Sequence, residues 1–379
     1  MKQNLSWTAP MPQFEKEIYA DPVVVGGVVK QPATGYLELK RRLHASGIFK
    51  KRPASYGIRI IATITVLAAG LISIAVLHDW FSRFVIVAVL AFSYTQTAFL
   101  VHDTGHGQMV RPGRWSNIVG LLFCNLMLGA SFSWWVQKHN RHHRSPNELG
   151  KDPDLSLSTI AFTPEQALQK TGLLRPIIRF QAYLFLAMIL MEGIAVRIVG
   201  IIHLIKTKKR SNLFEALLIS AHFAAYFWLV FSQMSLLGGL GFVLAHQMLF
   251  GLYMGSVFAP NHKGMPVLEP KTEKDFLYHQ ALTARNVRGN PLVDFWYGGL
   301  NYQIEHHLFP TAPRENLKDA QPIVSKFCRE RGIPYRQDGV LQSYKEVFLY
   351  LNRVGSVLST RETRAIYDTL SCEAGEGVS

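Results

Sequence analysis

The stretch FVIVAVLAFSYTQTAFLVHDTGH, residues 84–106, decides the fold class. Its first part, Phe84 to Val101, carries no charged residue and approaches the roughly 20 apolar residues that a membrane-spanning helix needs. Its last five residues place His102 and His106 four positions apart, directly after that apolar run. Residues four apart share one face of a helix. The stretch therefore predicts a membrane helix whose end presents two histidines on one side.

Three further apolar runs predict membrane helices and complete two hairpins. The spans are predicted at about 57–77, 84–101, 213–234 and 236–259. Charged residues make up 17% of the chain, below the roughly 25% of soluble domains. The net charge of +14 comes from Lys and Arg beside the apolar runs, which argues against a nucleic-acid partner. The short connections 78–82 and 235–239 carry neither residue, so we place them outside and both termini in the cytoplasm.

The remaining sequence is expected to form a cap beneath the membrane. Two more apolar runs, 118–136 and 177–205, are predicted to lie on the membrane surface or dip into it. The predicted division is a cytoplasmic segment 1–55, a membrane domain 56–313 with its cap at 102–212 and 260–313, and a cytoplasmic tail 314–379. The fold class is thus an all-α integral membrane protein, with four transmembrane helices and a cytoplasmic helical cap that holds a histidine-rich site.

Seven of the 14 histidines of the chain fall into three five-residue windows. The windows are HDTGH with His102 and His106, HNRHH with His139, His142 and His143, and QIEHH with His306 and His307. Their i, i+3 and i+4 spacing directs the rings to one helix face, as metal ligands require. Imidazole suits iron, zinc, copper or nickel, so the histidines alone do not name the metal. A structural zinc site closes with four ligands, so this larger set favours two ions.

The three windows resemble the histidine boxes HxxxH, HxxHH and (H/Q)xxHH of membrane fatty acid desaturases. The resemblance runs from about Tyr56 to Pro313 and includes the strings HNRHH and NYQIEHHLFP. A glutamine at the start of the third box is similar to front-end, acyl-lipid and acyl-CoA desaturases. The HPGG heme motif of a fused cytochrome b5 domain is absent from the chain, so a separate electron donor is expected: a ferredoxin, cytochrome b5 or a reductase.

The resemblance implies that eight histidines hold two iron ions. The implied ligands are His102, His106, His139, His142, His143, His262, His306 and His307. Gln303 takes the remaining box position, and Asn261 is a candidate for a water-mediated contact. His246 and His279 compete with His262, which we prefer because it directly follows the fourth predicted span. Isolated histidines such as His44 and His203 are interpreted as ordinary polar side chains.

Other residues near the boxes are candidates for supporting roles. Carboxylates can fix a metal-bound imidazole through its second ring nitrogen, or can be ordinary helix caps and surface ion pairs. The candidates are Asp103, Asp152, Asp154 and Glu305. Aromatic side chains beside the boxes could line an acyl channel, although anchoring at the membrane interface is their commoner role. These are Trp134, Trp135, Trp296 and Tyr297. Gly105, between the two histidines of the first box, could allow a neighbouring helix to approach the metal closely, or could be a packing glycine.

The resemblance implies O2-dependent removal of two hydrogens from an acyl-CoA or acyl-lipid, giving a cis double bond at a di-iron centre on the cytoplasmic side. A hydroxylase or ketolase acting on a sterol, carotenoid or alkane would share the histidine plan. A metal transporter or sensor is a more remote alternative, because transporters place polar ligands near the middle of their spans and these boxes lie at helix ends. Acidic electron donors would favour basic docking groups, either at 206–210 or at Lys138, Arg141 and Arg144.

Overall fold

The computed structural model describes residues 35–270 and 275–359, together with the backbone of Val24 and Val25. Within these ranges the chain is mostly helical. The helices are α1 (Gly35–Ala45), α2 (Pro53–Val76), α3 (Trp80–Gly105), α4 (Arg114–Leu121), α5 (Phe132–Arg144), α6 (Pro164–Leu168), α7 (Leu174–Arg179), α8 (Gln181–Leu190), α9 (Glu192–Thr207), α10 (Arg210–Gln233), α11 (Leu236–His262), α12 (Phe276–Leu282), α13 (Pro291–Trp296), α14 (Gln303–Leu308), α15 (Arg314–Glu330) and α16 (Val340–Ser356). The strands are β1 (Val24–Val25), β2 (Val267–Leu268), β3 (Arg285–Val287) and β4 (Arg336–Asp338).

Four of these helices, α2, α3, α10 and α11, are long and apolar enough to cross a membrane, and they coincide with the four apolar runs of the sequence. Their arrangement as two membrane-crossing hairpins stays a prediction. Their ends differ from the predicted ones in a way that matters for the site. Helix α3 continues past Val101 to Gly105, and α11 continues to His262. The apolar pattern therefore ends before the helix does. The polar last turns of both helices carry histidines.

The two remaining apolar runs form bent helix pairs. Helix α4 and the π-helical turn Leu122–Met127 meet α5 at 112°, and α8 meets α9 at 69°. Buried polar contacts join the bent pairs to each other and to a span. Arg197 donates to the carbonyl oxygen of Leu128 over 2.8 Å, and Glu215 accepts from Asn125 and Ser131, each over 2.9 Å. Their predicted position at the membrane surface stays a prediction.

Two short parallel strand pairs and the C-terminal helices complete the described fold. Strand β1 pairs with β2, and β3 pairs with β4. Helix α15 is amphipathic and buries Phe327 in an apolar cluster with Leu43 of α1 and Leu308 of α14. Helix α15 therefore packs against the helix that carries the third box, whereas α16 packs against α8 and α11. The predicted domain limits stay a prediction, and residues 1–23, 26–34 and 360–379 of the predicted terminal segments lie outside the described residues.

Candidate metal centre

The ends of four helices bring the histidine boxes together. Helix α3 carries the first box in its last turn, α5 carries the second, and α14 carries the third. Helix α11 adds His262 as its last residue. Gly105 allows the first two boxes to approach, because a Cβ atom there would lie 2.5 Å from Cζ3 of Trp135 on α5. Gly105 therefore permits close packing of α5 against α3, and an approach to a metal ion stays a prediction.

Five of the histidines form one cluster, which we call the five-histidine group. It consists of His102, His106, His139, His143 and His306. Their Nε2 atoms face one another at short range: 3.1 Å for His102 and His306, 2.8 Å for His106 and His139, 3.1 Å for His139 and His143, and 3.1 Å for His143 and His306. All three boxes contribute to this group.

Three more histidines form a neighbouring three-histidine group of His142, His262 and His307. The Nε2 atom of His262 lies 3.3 Å from that of His142 and 3.0 Å from that of His307. The amide nitrogen of Gln303 lies 2.9 Å from the same Nε2 atom, and Gln303 Oε1 accepts from Asn261 over 3.0 Å. Gln303, which occupies the first position of the third box, thus lies beside this group.

The Nδ1 atoms, which lie on the side of each ring away from the centre of its group, indicate the tautomer of three of these histidines. The Nδ1 atoms of His102 and His142 face carboxylate oxygens, of Asp103 at 3.1 Å and of Asp152 at 3.0 Å. Nδ1 of His262 faces the carbonyl oxygen of Thr283 at 3.0 Å. Because these partners are acceptors, each neutral ring carries its hydrogen on Nδ1. Its Nε2 atom therefore presents a lone pair to the centre of its group.

Several lone pairs converging at about 3 Å would repel one another unless a cation lay between them. Two nitrogen ligands at right angles, each about 2.1 Å from one metal ion, would themselves lie about 3 Å apart. The Nε2 distances of 2.8 to 3.3 Å fit that spacing in both groups. The donor sets therefore suit two metal ions, one in each group.

Three of the four carboxylates singled out from the sequence lie beside box histidines. Asp103 and Asp152 contact His102 and His142, and Asp154 Oδ2 lies 3.5 Å from His142 Nδ1. Burial would raise the pKa of Asp152, but the adjacent His142 holds that pKa below its usual value. Asp154 also pairs with Lys138 at 2.5 Å.

Glu305 has different partners. Its carboxylate accepts from the amide of Asn286 and from the hydroxyl of Tyr335, each over 2.7 Å. Burial raises the pKa of Glu305 to about 7. This carboxylate therefore links α14 to β3 and to the segment after α15.

The competing histidines and the aromatic candidates lie mostly elsewhere. His246 contacts the hydroxyl of Tyr226 at 2.8 Å, and His279 Nε2 lies 2.8 Å from the carbonyl oxygen of Pro146. Trp135 stacks on His139, with ring centroids 4.6 Å apart.

The other three aromatic candidates have different neighbours. Trp134 lies beside Gly200, Trp296 stacks on Tyr253 at 3.9 Å, and Tyr297 belongs to a buried cluster with Phe99. Trp135 is thus the one of the four with a ring contact to a box histidine.

Several supporting residues were not predicted from the sequence. Gln280 joins two boxes, because its Oε1 faces Nδ1 of His307 at 2.9 Å and its Nε2 donates to the carbonyl oxygen of His143 over 3.0 Å. Asn147 donates its backbone N–H to Asp152 over 2.8 Å and its side chain to the carbonyl oxygen of His262 over 3.1 Å. Both lie outside the histidine windows. No local spacing in the sequence marks them.

Four membrane-length helices and two largely buried histidine clusters that could each hold a metal ion define a multi-histidine protein of the membrane class. Residues 42–339 match the family described as fatty acid desaturase, and the chain belongs to this family. It is 30% identical to a Delta(8)-fatty-acid desaturase of Euglena gracilis, over 81% of this chain and 75% of that protein.

Two further relatives carry desaturase names. A Delta(6)-fatty-acid desaturase of Caenorhabditis elegans is 29% identical over 83% of this chain and 73% of its own length. An acyl-lipid (9-3)-desaturase of Physcomitrium patens is 29% identical over 84% of this chain and 62% of its own length. These relationships identify the protein as an oxidoreductase of the fatty acid desaturase family.

Proposed function

We propose that this protein introduces a double bond into a fatty acyl chain, in unsaturated fatty acid biosynthesis, by removing two hydrogens with O2 at a pair of iron ions. The observation that carries the proposal is the convergence of Nε2 atoms in two adjacent groups, in a chain of the fatty acid desaturase family. Bound iron would supply the one-electron and O2 chemistry that amino-acid side chains lack. The protein's contribution is to hold the ions and to position the acyl chain.

One iron would be bound by the five-histidine group and the other by the three-histidine group. The second ion would have fewer imidazole ligands, so Gln303 and a bound water are proposed to complete its coordination. Asn261 supports this water, because its side-chain oxygen is buried and has no hydrogen-bond partner among the described residues. An open position on a metal ion is where a small molecule such as O2 can bind.

The surroundings of the site would keep bulk water away from the reacting atoms. The side chains of His102, His306 and His307 are almost fully buried, at 1 to 2% exposed. Trp135 covers one face of His139. A dry and rigid site strengthens electrostatic interactions and holds the reacting methylene groups in one pose.

The acyl chain is proposed to arrive as an acyl-lipid or an acyl-CoA. The relatives bear Delta(8), Delta(6) and acyl-lipid desaturase names, and the glutamine at the start of the third box is compatible with that group. The enzyme is proposed to hold the polar end of the acyl chain at a fixed distance from the irons, because the reacting carbons must lie beside the metal centre in one pose.

The site is proposed to face the cytoplasm, with both termini on that side and two hairpins crossing the membrane. Support comes from the connections 78–82 and 235–239, which join the span pairs and lack Lys and Arg. A cysteine introduced at Asp79 or at Ser235 should react with an impermeant reagent from the outer side alone. Labelling from the cytoplasmic side would contradict this topology.

A separate acidic redox protein is proposed as the electron donor. Lys206, Lys208, Lys209 and Arg210 are exposed, and they lie at the end of α9, in the connection and at the start of α10. Arg141 and Arg144 are exposed on α5, whereas Lys138 of the same helix is engaged by Asp154. Complementary charge speeds such encounters.

Expression in a host with a simple fatty acid profile, combined with metal analysis of the purified protein, tests the proposal. We expect about two irons per chain and a new fatty acid lighter by two hydrogens. A product with an added oxygen would indicate the hydroxylase or ketolase alternative. Zinc without iron, and no new lipid, would favour a transporter or sensor.

A further inference from the structure

Arg314 lies at the end of a chain of contacts that begins at the five-histidine group. Its Nε atom is 2.5 Å from Oδ2 of Asp103. The other carboxylate oxygen of Asp103 is 3.1 Å from Nδ1 of His102, and Nε2 of His102 is 3.1 Å from Nε2 of His306. One carboxylate thus connects a guanidinium to a histidine that faces the centre of the group.

This chain of contacts is buried. The exposed fractions of Arg314, Asp103 and His102 are 4%, 1% and 2%. A carboxylate buried beside an imidazole needs a positive partner, because an unpaired charge in such a place is strongly disfavoured. Arg314 is the cation that the structure places against Asp103.

The loop before the third box encloses the guanidinium. Gly298 and Gly299 have φ values of +59° and +82°, and a Cβ atom on Gly298 would lie 2.9 Å from Nη1 of Arg314. The backbone N–H of Arg314 donates to Gln108 Oε1 over 3.1 Å, just after the first box. Arg314, the first residue of α15, therefore contacts both the segment after the first box and the loop before the third box.

We propose that Arg314 is a positioning residue, which acts through Asp103 to fix the His102 ring as an Nε2 ligand in the five-histidine group. This inference rests on the proposed metal centre. The guanidinium of Arg314 holds one carboxylate oxygen of Asp103, and the other oxygen accepts the Nδ1 hydrogen of His102. The ring is thereby fixed in both tautomer and direction. Outer partners of this kind are worth about 10- to 100-fold in metal affinity.

A merely structural ion pair would have a different effect on the protein. Losing it would loosen α15 and lower the stability of the whole cap, without distinguishing one iron from the other. Loss of a positioning residue should weaken one iron selectively and act through Asp103. The readouts are therefore the rate at which each iron is lost to a chelator and the Mössbauer signals of the two irons.

The experiment compares Arg314→Met, Asp103→Asn and the double variant, each loaded with iron and then challenged with a chelator. We expect each single variant to release one of the two irons about 10- to 100-fold faster than wild type, with the same Mössbauer signal affected in both. The double variant should be no faster than the worse single variant, because both changes break the same chain of contacts. Additive effects, or a wild-type rate in Arg314→Met, would overturn the proposal.

Arg59→Met is the matched control, since Arg59 pairs with the next residue of α15, Glu315, at 2.8 Å. This control should retain both irons at the wild-type rate, and equal loss in the control and in Arg314→Met would refute a selective role. If Arg314→Met does not fold, Arg314→Lys retains the charge and is expected to lose iron at an intermediate rate. A wild-type rate in both Arg314→Lys and Asp103→Asn would also overturn the proposal. A wild-type protein without iron would instead refute the proposed function.

Discussion

The five-histidine group and the three-histidine group differ in how their rings are held. In the three-histidine group every ring has an outer partner on Nδ1: Asp152 for His142, the Thr283 carbonyl for His262 and Gln280 for His307. In the five-histidine group His102 has such a partner, whereas Nδ1 of His143 and Nδ1 of His306 have none among the described residues.

The comparison indicates two ways of building a metal site. The five-histidine group has a surplus of imidazoles and fewer outer hydrogen bonds. The three-histidine group has few imidazoles, and each is held by a fixed acceptor. Outer hydrogen bonds set the direction of a ring and the basicity of its metal-binding nitrogen. The three-histidine group should therefore depend more strongly on each single ligand and on each outer partner.

Removal of one ligand from each group should give the largest effect and the clearest contrast. His307→Ala leaves two histidines in the three-histidine group, and we expect it to lose that iron completely. His143→Ala leaves four histidines in the other group, and we expect iron to remain there, bound more weakly. Both variants should lower desaturation by more than about 100-fold, beyond the usual cost of losing an outer partner. Iron per chain and product yield measure the two effects.

Two isolated histidines serve as controls for the ligand variants. His44 stacks on Phe49, and His203 lies outside both groups. Their replacement by Ala should leave iron content and product yield close to wild type. Two irons per chain in His307→Ala would contradict the assignment of His307 to a site with few ligands.

Asp152→Asn should have the next largest effect, because it removes the charge behind His142. Asp152 contacts this ring at 3.0 Å and also accepts the backbone N–H groups of Asn147 and Asp154. We expect a loss of about 10- to 100-fold in iron affinity at the three-histidine group. Asp154→Asn is the matched control: Asp154 is 3.5 Å from the same nitrogen and pairs with Lys138, so its effect should be smaller. Equal effects of the two variants would show that the contact distance does not decide the role.

Gly105→Ala tests the packing around the five-histidine group, because it adds a methyl group instead of removing a contact. The added methyl group would meet Cζ3 of Trp135 at 2.5 Å, and this indole stacks on His139. We expect a destabilisation of about 1 to 3 kcal/mol, typical of an overfilled core, measured by thermal unfolding. Desaturation should fall as His139 is displaced.

Gly57→Ala is the control for this crowding, because nothing lies within 4 Å of a Cβ atom there. Alanine at this helical position should be neutral or slightly stabilising. Replacing Trp135 by the smaller Leu in the Gly105→Ala background should restore part of the lost stability. Unchanged unfolding of Gly105→Ala alone would contradict the close packing of the two boxes.

The sequence predicted what local spacing determines. The four spans follow from runs of apolar residues, and the box histidines follow from i, i+3 and i+4 spacing on a helix. The division into groups of five and three could not be predicted, because it depends on the angles at which four helix ends meet. His142 and His143 are neighbours on α5, yet they belong to different groups.

Supporting residues were harder to predict, because they act through tertiary contacts. Glu305 is next to His306 in the chain, but successive side chains on a helix point about 100° apart, and this carboxylate faces Asn286 and Tyr335. Gln280 contacts His307 directly and Arg314 contacts His102 through Asp103, and both residues lie on other elements of the fold. Contacts of this kind leave no periodic pattern in the sequence.

The smallest expected effect concerns how electrons reach both groups. Helix α5 carries histidines of both groups, and Arg141 and Arg144 are exposed on it. We expect Arg141→Glu combined with Arg144→Glu to lower kcat/KM for an acidic donor by about 3- to 10-fold at low salt, because repulsion slows the encounter. The deficit should fade as ionic strength rises, since a Debye length of about 8 Å at physiological salt screens exposed charges. Lys206→Glu combined with Lys208→Glu is the control at the end of α9 and the start of its connection to α10, and both residues are exposed. If only this second variant has a lower kcat/KM for the donor, the docking surface lies at residues 206–210. If donor saturation is unchanged in both variants, the basic residues orient the protein in the membrane and the donor docks elsewhere.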